Sequence, residues 1–389
     1  MNIVFMGCAK FGIPALQELY NFFNLKAIFT AFPKPKGRKL SLVKSEIHDY
    51  AEKNMSNIPI INVKTMRSDD ILQKVKNFMP DLIVVVAYGF ILPKEILNLA
   101  KYGCINIHPS SLPQFRGASP LQFTILNKSK QIDICIIKME IGIDDGDIFA
   151  KETISIDENI DITQLSDLCS NIGAKLLNKT INNIDSIVPQ AQIGTASYAR
   201  KITKFDGLLT SNILNNLSVY DIKARFLAFK EWPGLYFYMD NVRYKIIDLE
   251  IEINNINLNN NNNNNTFSSS SNNVNDEIAN QKLKDCIIID NKHNENKNQE
   301  RKNILEQNCN ISNVSLELED HYSENNFNIS NVKKIANFLE NIDNYCMIDK
   351  KLLLFKLKAK NGYIIIKKIQ AENKSILTIK EFLNGFKKK

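Results

Sequence analysis

Short β-rich runs alternate with amphipathic stretches through the first half of the chain. Residues 3–5 read as a buried strand, and residues 14–23, with Leu16, Leu19, Tyr20 and Phe23 at helical spacing, read as the helix behind it. Residues 26–30 and 82–87 are further strands, and 105–107 and 134–139 complete the set. Strands that alternate with helices predict a mostly parallel sheet covered on both faces, because parallel neighbours need crossover connections. Residues 1–188 are therefore expected to form a doubly wound α/β domain. Its closing amphipathic stretch carries Leu165, Leu168, Ile172, Leu176 and Leu177.

Apolar periodicity is then lost, and residues 189–204 read as a linker. A second unit, 205–389, shows a helix at 219–229 and strands at 235–239, 244–251, 352–357, 363–369 and 376–379, a spacing that predicts a small β-barrel. Residues 254–337 interrupt it. This stretch is dominated by Asn, Ser, Asp and Lys and contains the asparagine run 259–265, so it is expected to be a low-complexity insertion that cannot bury enough apolar surface to offset its ordering entropy. Residues 286–289 are its best candidate for an extra strand.

Composition narrows the compartment and the partners. At 389 residues, with 44% hydrophobic and 23% charged positions, the chain has material for two or three folded units of ~100–200 residues. The longest apolar run, 82–92, is far short of the ~20 residues needed to span a membrane. The first strand begins so early that no leader peptide is expected ahead of it. Seven cysteines, scattered and outside CxxC or Cys/His ligand spacing, argue for neither a disulfide framework nor a zinc site, so a reducing cytoplasm is expected. The net charge of +7 is compatible with a polyanionic partner but does not require one.

Several motifs fail on inspection. Gly7 and Gly12 have the outer spacing of a phosphate loop, yet Ile13 and Pro14 stand where Lys and Ser/Thr are required, and Ala9 breaks the dinucleotide pattern. Asp144, Asp145 and Asp147 around Gly146 lack the alternating ligands and terminal Glu of a calcium loop. The informative stretch is Asn106-Ile107-His108, whose two-residue periodicity puts a neutral donor and a titratable ring on one side of a strand end. The glycine-flanked turn carrying Asp144 ends the next strand and could bring a carboxylate beside His108, although ordinary loop chemistry explains such a turn as well.

Asn106-Ile107-His108, followed by Ser110, Leu112-Pro113, Arg116-Gly117-Ala118 and Pro120-Leu121-Gln122, and then Gly142-Ile143-Asp144 with Gly146-Asp147, resembles the formyltransferase family that uses 10-formyltetrahydrofolate. Four further segments are similar to the branch of that family that acts on an aminoacyl-tRNA: Val84-Val85-Val86-Ala87-Tyr88-Gly89 with Leu92-Pro93, Ser197-Tyr198-Ala199-Arg200-Lys201-Ile202, Trp232-Pro233-Gly234, and Glu381-Phe382-Leu383-Asn384-Gly385. The chain departs from the family pattern at Ser111, Gln114, Asp145, Leu227 and Glu231.

The resemblance implies formyl transfer to the α-amino group of methionyl initiator tRNA, with an OB-like C-terminal barrel that binds the tRNA. Acyl transfer to an amine builds negative charge on the carbonyl oxygen, so preorganised donors are the main requirement. Asn106 and His108 are implied as those donors, and Asp144 as the group that orients the ring and helps move a proton. Tyr88, Gly89, Phe90, Ile91 and Leu92, with Ser110, Ser111, Leu112 and Pro113, are implied as the folate-binding wall. Lys34, Lys36, Arg38 and Lys39 lie in a basic stretch suited to the tRNA acceptor end, and Lys356, Lys358, Lys360, Lys367 and Lys368 on the barrel would complete the grip. The implied protein is a cytoplasmic monomer that needs no metal and no membrane. A formyltransferase for nucleotide sugars or purine precursors should lack the Trp232 corner. A non-catalytic RNA-binding relative has no need of an intact Asn106, His108 and Asp144.

Overall fold

The computed structural model describes residues 1–36, 41–239, 242–253, 346–349 and 354–386. These fall in one compact unit, Met1–Asn254 with Lys333–Lys389. The expected insertion at 254–337, its strand candidate at 286–289, and Gly37, Arg38 and Lys39 of the basic stretch lie outside the described residues.

The N-terminal part runs β1 (Asn2–Gly7), α1 (Ile13–Phe22), β2 (Asn24–Ala31), β3 (Lys34–Lys36), β4 (Ser41–Val43), α2 (Glu46–Asn54), β5 (Ile60–Val63), α3 (Asp69–Asn77), β6 (Leu82–Val86), α4 (Lys94–Leu97) and β7 (Cys104–His108). It continues with β8 (Arg116–Gly117), α5 (Pro120–Leu126), β9 (Gln131–Lys138), β10 (Ile148–Ser155) and α6 (Ile162–Asn182). Side-chain caps fix where several helices begin. Ser45 accepts from the His48 N–H and Ser68 from the Ile71 N–H, while Asp161 and Gln164 cap α6 reciprocally.

The main sheet has the order β10-β9-β7-β6-β1-β2-β5. The five strands from β5 to β7 are parallel, whereas β9 and β10 are antiparallel additions at one edge. The mostly parallel α/β architecture is thus present. The sequence pattern missed β5, a short edge strand after Pro59, and β10, whose alternating exposure and charged Lys151 and Glu152 carry little apolar signal.

The two faces of the sheet are covered unequally. On one, α1 and α6 pack together, and α6 lies along β7, β9 and β10. On the other, Val4, Met6, Ala27, Phe29, Ile83, Val85 and Cys104 pack under Ile71 and Val75 of α3 and Ile96 and Leu97 of α4. Asn106 and His108 continue the face of Cys104, with Val85 opposite Asn106 across the ladder. Beyond Cys104 this face is covered by loops, and the candidate site lies there.

Gly173 of α6 explains the close seating of helix on strand. A Cβ there would stand 2.7 Å from Ile107 Cγ2 and 3.2 Å from Ile134 Cγ2. Ile107 lies between Asn106 and His108, and its branched side chain cannot swing aside without moving β7. Gly173→Ala is expected to cost about 1–3 kcal/mol in chemical denaturation, the ordinary penalty of overpacking a close contact.

After the main sheet come β11 (Tyr198–Ala199), α7 (Ser211–Asn216), α8 (Val219–Ala228), β12 (Tyr236–Met239), β13 (Val242–Ile253), β14 (Cys346–Asp349), β15 (Leu354–Ala359), β16 (Gly362–Ala371), β17 (Ile376–Thr378) and α9 (Ile379–Phe386). Strands β12 to β17 form an antiparallel sheet in the order β12-β13-β16-β15-β14, with β17 on β16. Phe237, Tyr244, Phe355 and Phe382 stack or meet edge to face in its core. The strand expected at 376–379 stops at Thr378, because the Thr378 hydroxyl accepts from the Glu381 N–H while the Glu381 carboxylate accepts from the Thr378 N–H. That reciprocal cap starts α9 instead.

The two parts meet through α5 and α8 and through ion pairs Lys128–Asp221 and Lys230–Asp161. Among the described residues no helix is long and apolar enough to cross a membrane, and no group of three or more His, Cys, Asp or Glu could hold a metal.

Candidate active site

Register brings the candidate residues together. Because β9 is antiparallel to β7, with His108 opposite Cys135 and Ile105 opposite Lys138, the chain leaving β9 emerges beside the start of β7. The β9–β10 connection folds back over the open face and delivers Asp144, at φ +50°, to His108. Asp144 Oδ2 stands 3.6 Å from His108 Nδ1 and accepts a 2.8 Å hydrogen bond from the Gly117 N–H. That N–H depends on the absence of a side chain. Gly117 sits at φ +110°, and a Cβ there would lie 2.9 Å from the Ala199 carbonyl oxygen.

His108 is only 4% exposed, and both ring nitrogens face acceptors. Nε2 lies 3.1 Å from the Phe115 carbonyl oxygen, and Nδ1 faces Asp144. Burial lowers the imidazole pKa from its ordinary value. The Asp144 carboxylate and the Phe115 carbonyl oppose that shift, while the Arg116 guanidinium adds to it. A neutral ring carries one N–H and cannot satisfy both acceptors at once. Asn106 differs: half-buried on the same face, its carboxamide has no hydrogen-bond partner among the described residues. The two residues expected as donors therefore differ, Asn106 being an open amide and His108 a buried ring that faces two acceptors.

The implied folate wall divides as well. In the loop after β6, Tyr88 is buried with its hydroxyl on Met66 Sδ, Phe90 packs on its ring at 4.9 Å, and Leu92 is buried. Ile91 is 77% exposed, and the backbone N–H groups of Gly89, Phe90 and Ile91 have no partner among the described residues. In the loop after β7 the polar groups are used internally. The Ser110 hydroxyl donates to the Gln114 carbonyl, the Leu112 N–H to the Ser110 carbonyl, and the Pro113 carbonyl accepts from the Ser197 N–H. Ser111, one of the departures from the family pattern, accepts from the Asp133 N–H and ties this loop to β9.

Of the basic residues, Lys34 and Lys36 lie on β3 of a small hairpin with β4, and Lys34 is exposed with no ion-pair partner among the described residues. On the C-terminal sheet, Lys356 pairs with Glu252 at 2.6 Å and Lys367 with Glu250 at 2.8 Å. Lys358, Lys360 and Lys368 have no such partner among the described residues.

Sequence reasoning read the segment after α6 as a linker and gave Gln190 and Gln192 no role. Gln190 pairs with Ile148 through both backbone groups. Gln192 reaches Arg116 and the carbonyls of Asp144 and Gly146, and β11 pairs with β8 so that Ala199 lies opposite Gly117. A polar residue in a stretch without periodicity carries no signal of this kind.

The α/β sheet carries an Asn-x-His strand end with a carboxylate folded onto the histidine, and residues 8–181 match the family model described as Formyl transferase. The methionyl-tRNA formyltransferase of Rickettsia rickettsii (strain Iowa) is 43% identical over 251 residues, which cover 64% of this chain and 81% of the relative. That of Rickettsia prowazekii (strain Madrid E) is 42% identical over the same length and shares. The chain belongs to the methionyl-tRNA formyltransferase family. A crystal structure of a sugar 3N-formyl transferase, solved in the presence of dTDP and 5-N-formyl-THF, shares the fold with a TM-score of 0.51 at 16% identity, over 96% of this chain and 99% of that one.

Proposed function

We propose that this chain transfers the formyl group of 10-formyltetrahydrofolate to the α-amino group of methionine esterified to initiator tRNA. The observation that carries the reading is the open Asn106 carboxamide beside the His108–Asp144 pair, in a chain of this family. The formyl donor fits the surface beside it. Exposed Ile91 and half-buried Phe90 offer apolar contact to a flat heterocycle, and the free N–H groups of Gly89, Phe90 and Ile91 suit its polar edge. Ser110, Ser111, Leu112 and Pro113 contribute the opposite wall by shape, since their polar groups are engaged within the protein. When bound, the folate supplies an activated formamide.

The chain's own groups supply the rest. The Asn106 amide N–H stabilises the negative charge that develops on the formyl oxygen. The His108–Asp144 pair takes a proton from the attacking neutral amine and returns it to the leaving folate nitrogen, the carboxylate staying anchored on the Gly117 N–H. A covalent enzyme intermediate is unnecessary, because the amine is the nucleophile.

The division of labour follows the domains read from the sequence: catalysis on 1–188, connection through 189–204, and tRNA contact on 205–389, whose antiparallel sheet we read as an OB-like barrel carrying the 254–337 insertion. Lys34, Lys36, Arg38 and Lys39 meet phosphates near the acceptor end. The test is transfer of labelled formyl from 10-formyltetrahydrofolate to charged initiator tRNA, compared with charged elongator tRNA, free methionine and an amino-sugar nucleotide. Strong preference for initiator tRNA is expected. Transfer to the sugar nucleotide in preference to tRNA would overturn the assignment.

A further inference from the structure

We propose that Gln192 is a positioning residue that holds the Asp144 turn in its reactive conformation, an inference that rests on the role given to Asp144 above. The Gln192 amide nitrogen donates to the Asp144 carbonyl at 2.9 Å and to the Gly146 carbonyl at 2.8 Å. Its oxygen accepts from Arg116 Nε at 3.0 Å and Nη2 at 2.7 Å. Both donors and both acceptor positions of one side chain are thus used across three segments of chain.

The turn needs such a brace. Asp144 is a non-glycine residue in the left-handed region, and that conformation persists only where the surroundings over-determine it. Gln192 grips the backbone of Asp144 and Gly146, while the Gly117 N–H grips the carboxylate. Gly117 is itself held by the same strap, because Ala199 accepts from the Ala118 N–H and lies opposite Gly117 in the β8–β11 ladder. Gln192 is fixed from both sides, by the Gln190–Ile148 backbone pair before it and by Ser197 and Ala199 after it. The side chain is therefore placed by backbone contacts that its own replacement leaves in place.

Two variants separate the two ends of the amide. Gln192→Met keeps the bulk and removes all four hydrogen bonds. Gln192→Glu keeps an acceptor for Arg116 but removes the donors to the turn. In the full chain, both are expected to lower kcat about tenfold, with KM for the formyl donor little changed and the thermal midpoint near that of the native protein, since a misplaced reacting group costs rate more than binding. Native kcat in Gln192→Met would overturn the inference. So would native kcat in Gln192→Glu with a loss in Gln192→Met, because the anchoring of Arg116 would then be what matters. Asp144→Asn, assayed alongside, tells this inference from the reading beneath it. Full activity in Asp144→Asn removes both, whereas its loss together with a fully active Gln192→Met removes only the role of Gln192.

Discussion

His108→Ala and Asp144→Asn are each expected to lower formyl transfer at least ~100-fold in protein that remains folded, the usual contribution of a positioned acid or base. Folding is expected to survive even though the His108 ring is buried, because its polar contacts are made to loop groups. The His108 ring contacts a loop carbonyl and a carboxylate, and in Asp144→Asn the new amide oxygen could still accept from the Gly117 N–H. What the aspartate variant loses is charge. The Asp144 carboxylate is the main influence opposing the burial that lowers the imidazole pKa, and without it the Phe115 carbonyl alone opposes that shift. Single-turnover rates with charged initiator tRNA, read beside thermal midpoints, distinguish this from unfolding. A folded His108→Ala protein with near-native turnover would exclude the mechanism, and would leave Asn106 and binding to account for the rate.

How much of this was legible in the sequence depended on whether a residue's role is local. Buried parallel strands such as β6 are continuous apolar runs, and the helix α6 carries its stripe openly, so the α/β core was readable from periodicity. The Asn106/His108 pairing followed from the strand's two-residue repeat. The antiparallel direction of β9 was not readable, since an apolar run is the same in either direction, yet it carries the end of β9 away from His108, so that the following connection has to return to bring Asp144 there. Thr378 and Glu381 do carry a capping signature, and the apolar stretch beside them concealed it. The strap from Gln190 to Ala199 illustrates the opposite limit. Its contribution is backbone pairing, the Gln192 amide and the Ser197 hydroxyl, which accepts from the Phe115 N–H, and none of these leaves a periodic trace.

Replacing Lys34, Lys36, Arg38 and Lys39 with Ala is expected to have the largest effect on tRNA binding. The β3–β4 pairing sets Lys34 opposite Val43 and Lys36 opposite Ser41, and exposed Leu42 lies across from Pro35. Lys34 has no carboxylate partner among the described residues, unlike Lys356 and Lys367 on the C-terminal sheet, whose charge is already answered by Glu252 and Glu250. An unanswered cation gains more from a phosphate than a paired one, because no ion pair has to be broken first. Each phosphate contact adds roughly 0.7–0.9 to the log–log salt slope through counterion release, so four lost contacts lower that slope by about 3. The difference in affinity between native and variant protein should then shrink by roughly 60-fold as salt rises from about 50 to 200 mM. Affinity for the formyl donor should be unaffected, since the hairpin lies outside the Tyr88–Leu92 and Ser110–Pro113 loops. Filter binding across a salt series checks the slope, and a variant whose slope matches the native protein would show that these four charges only face solvent.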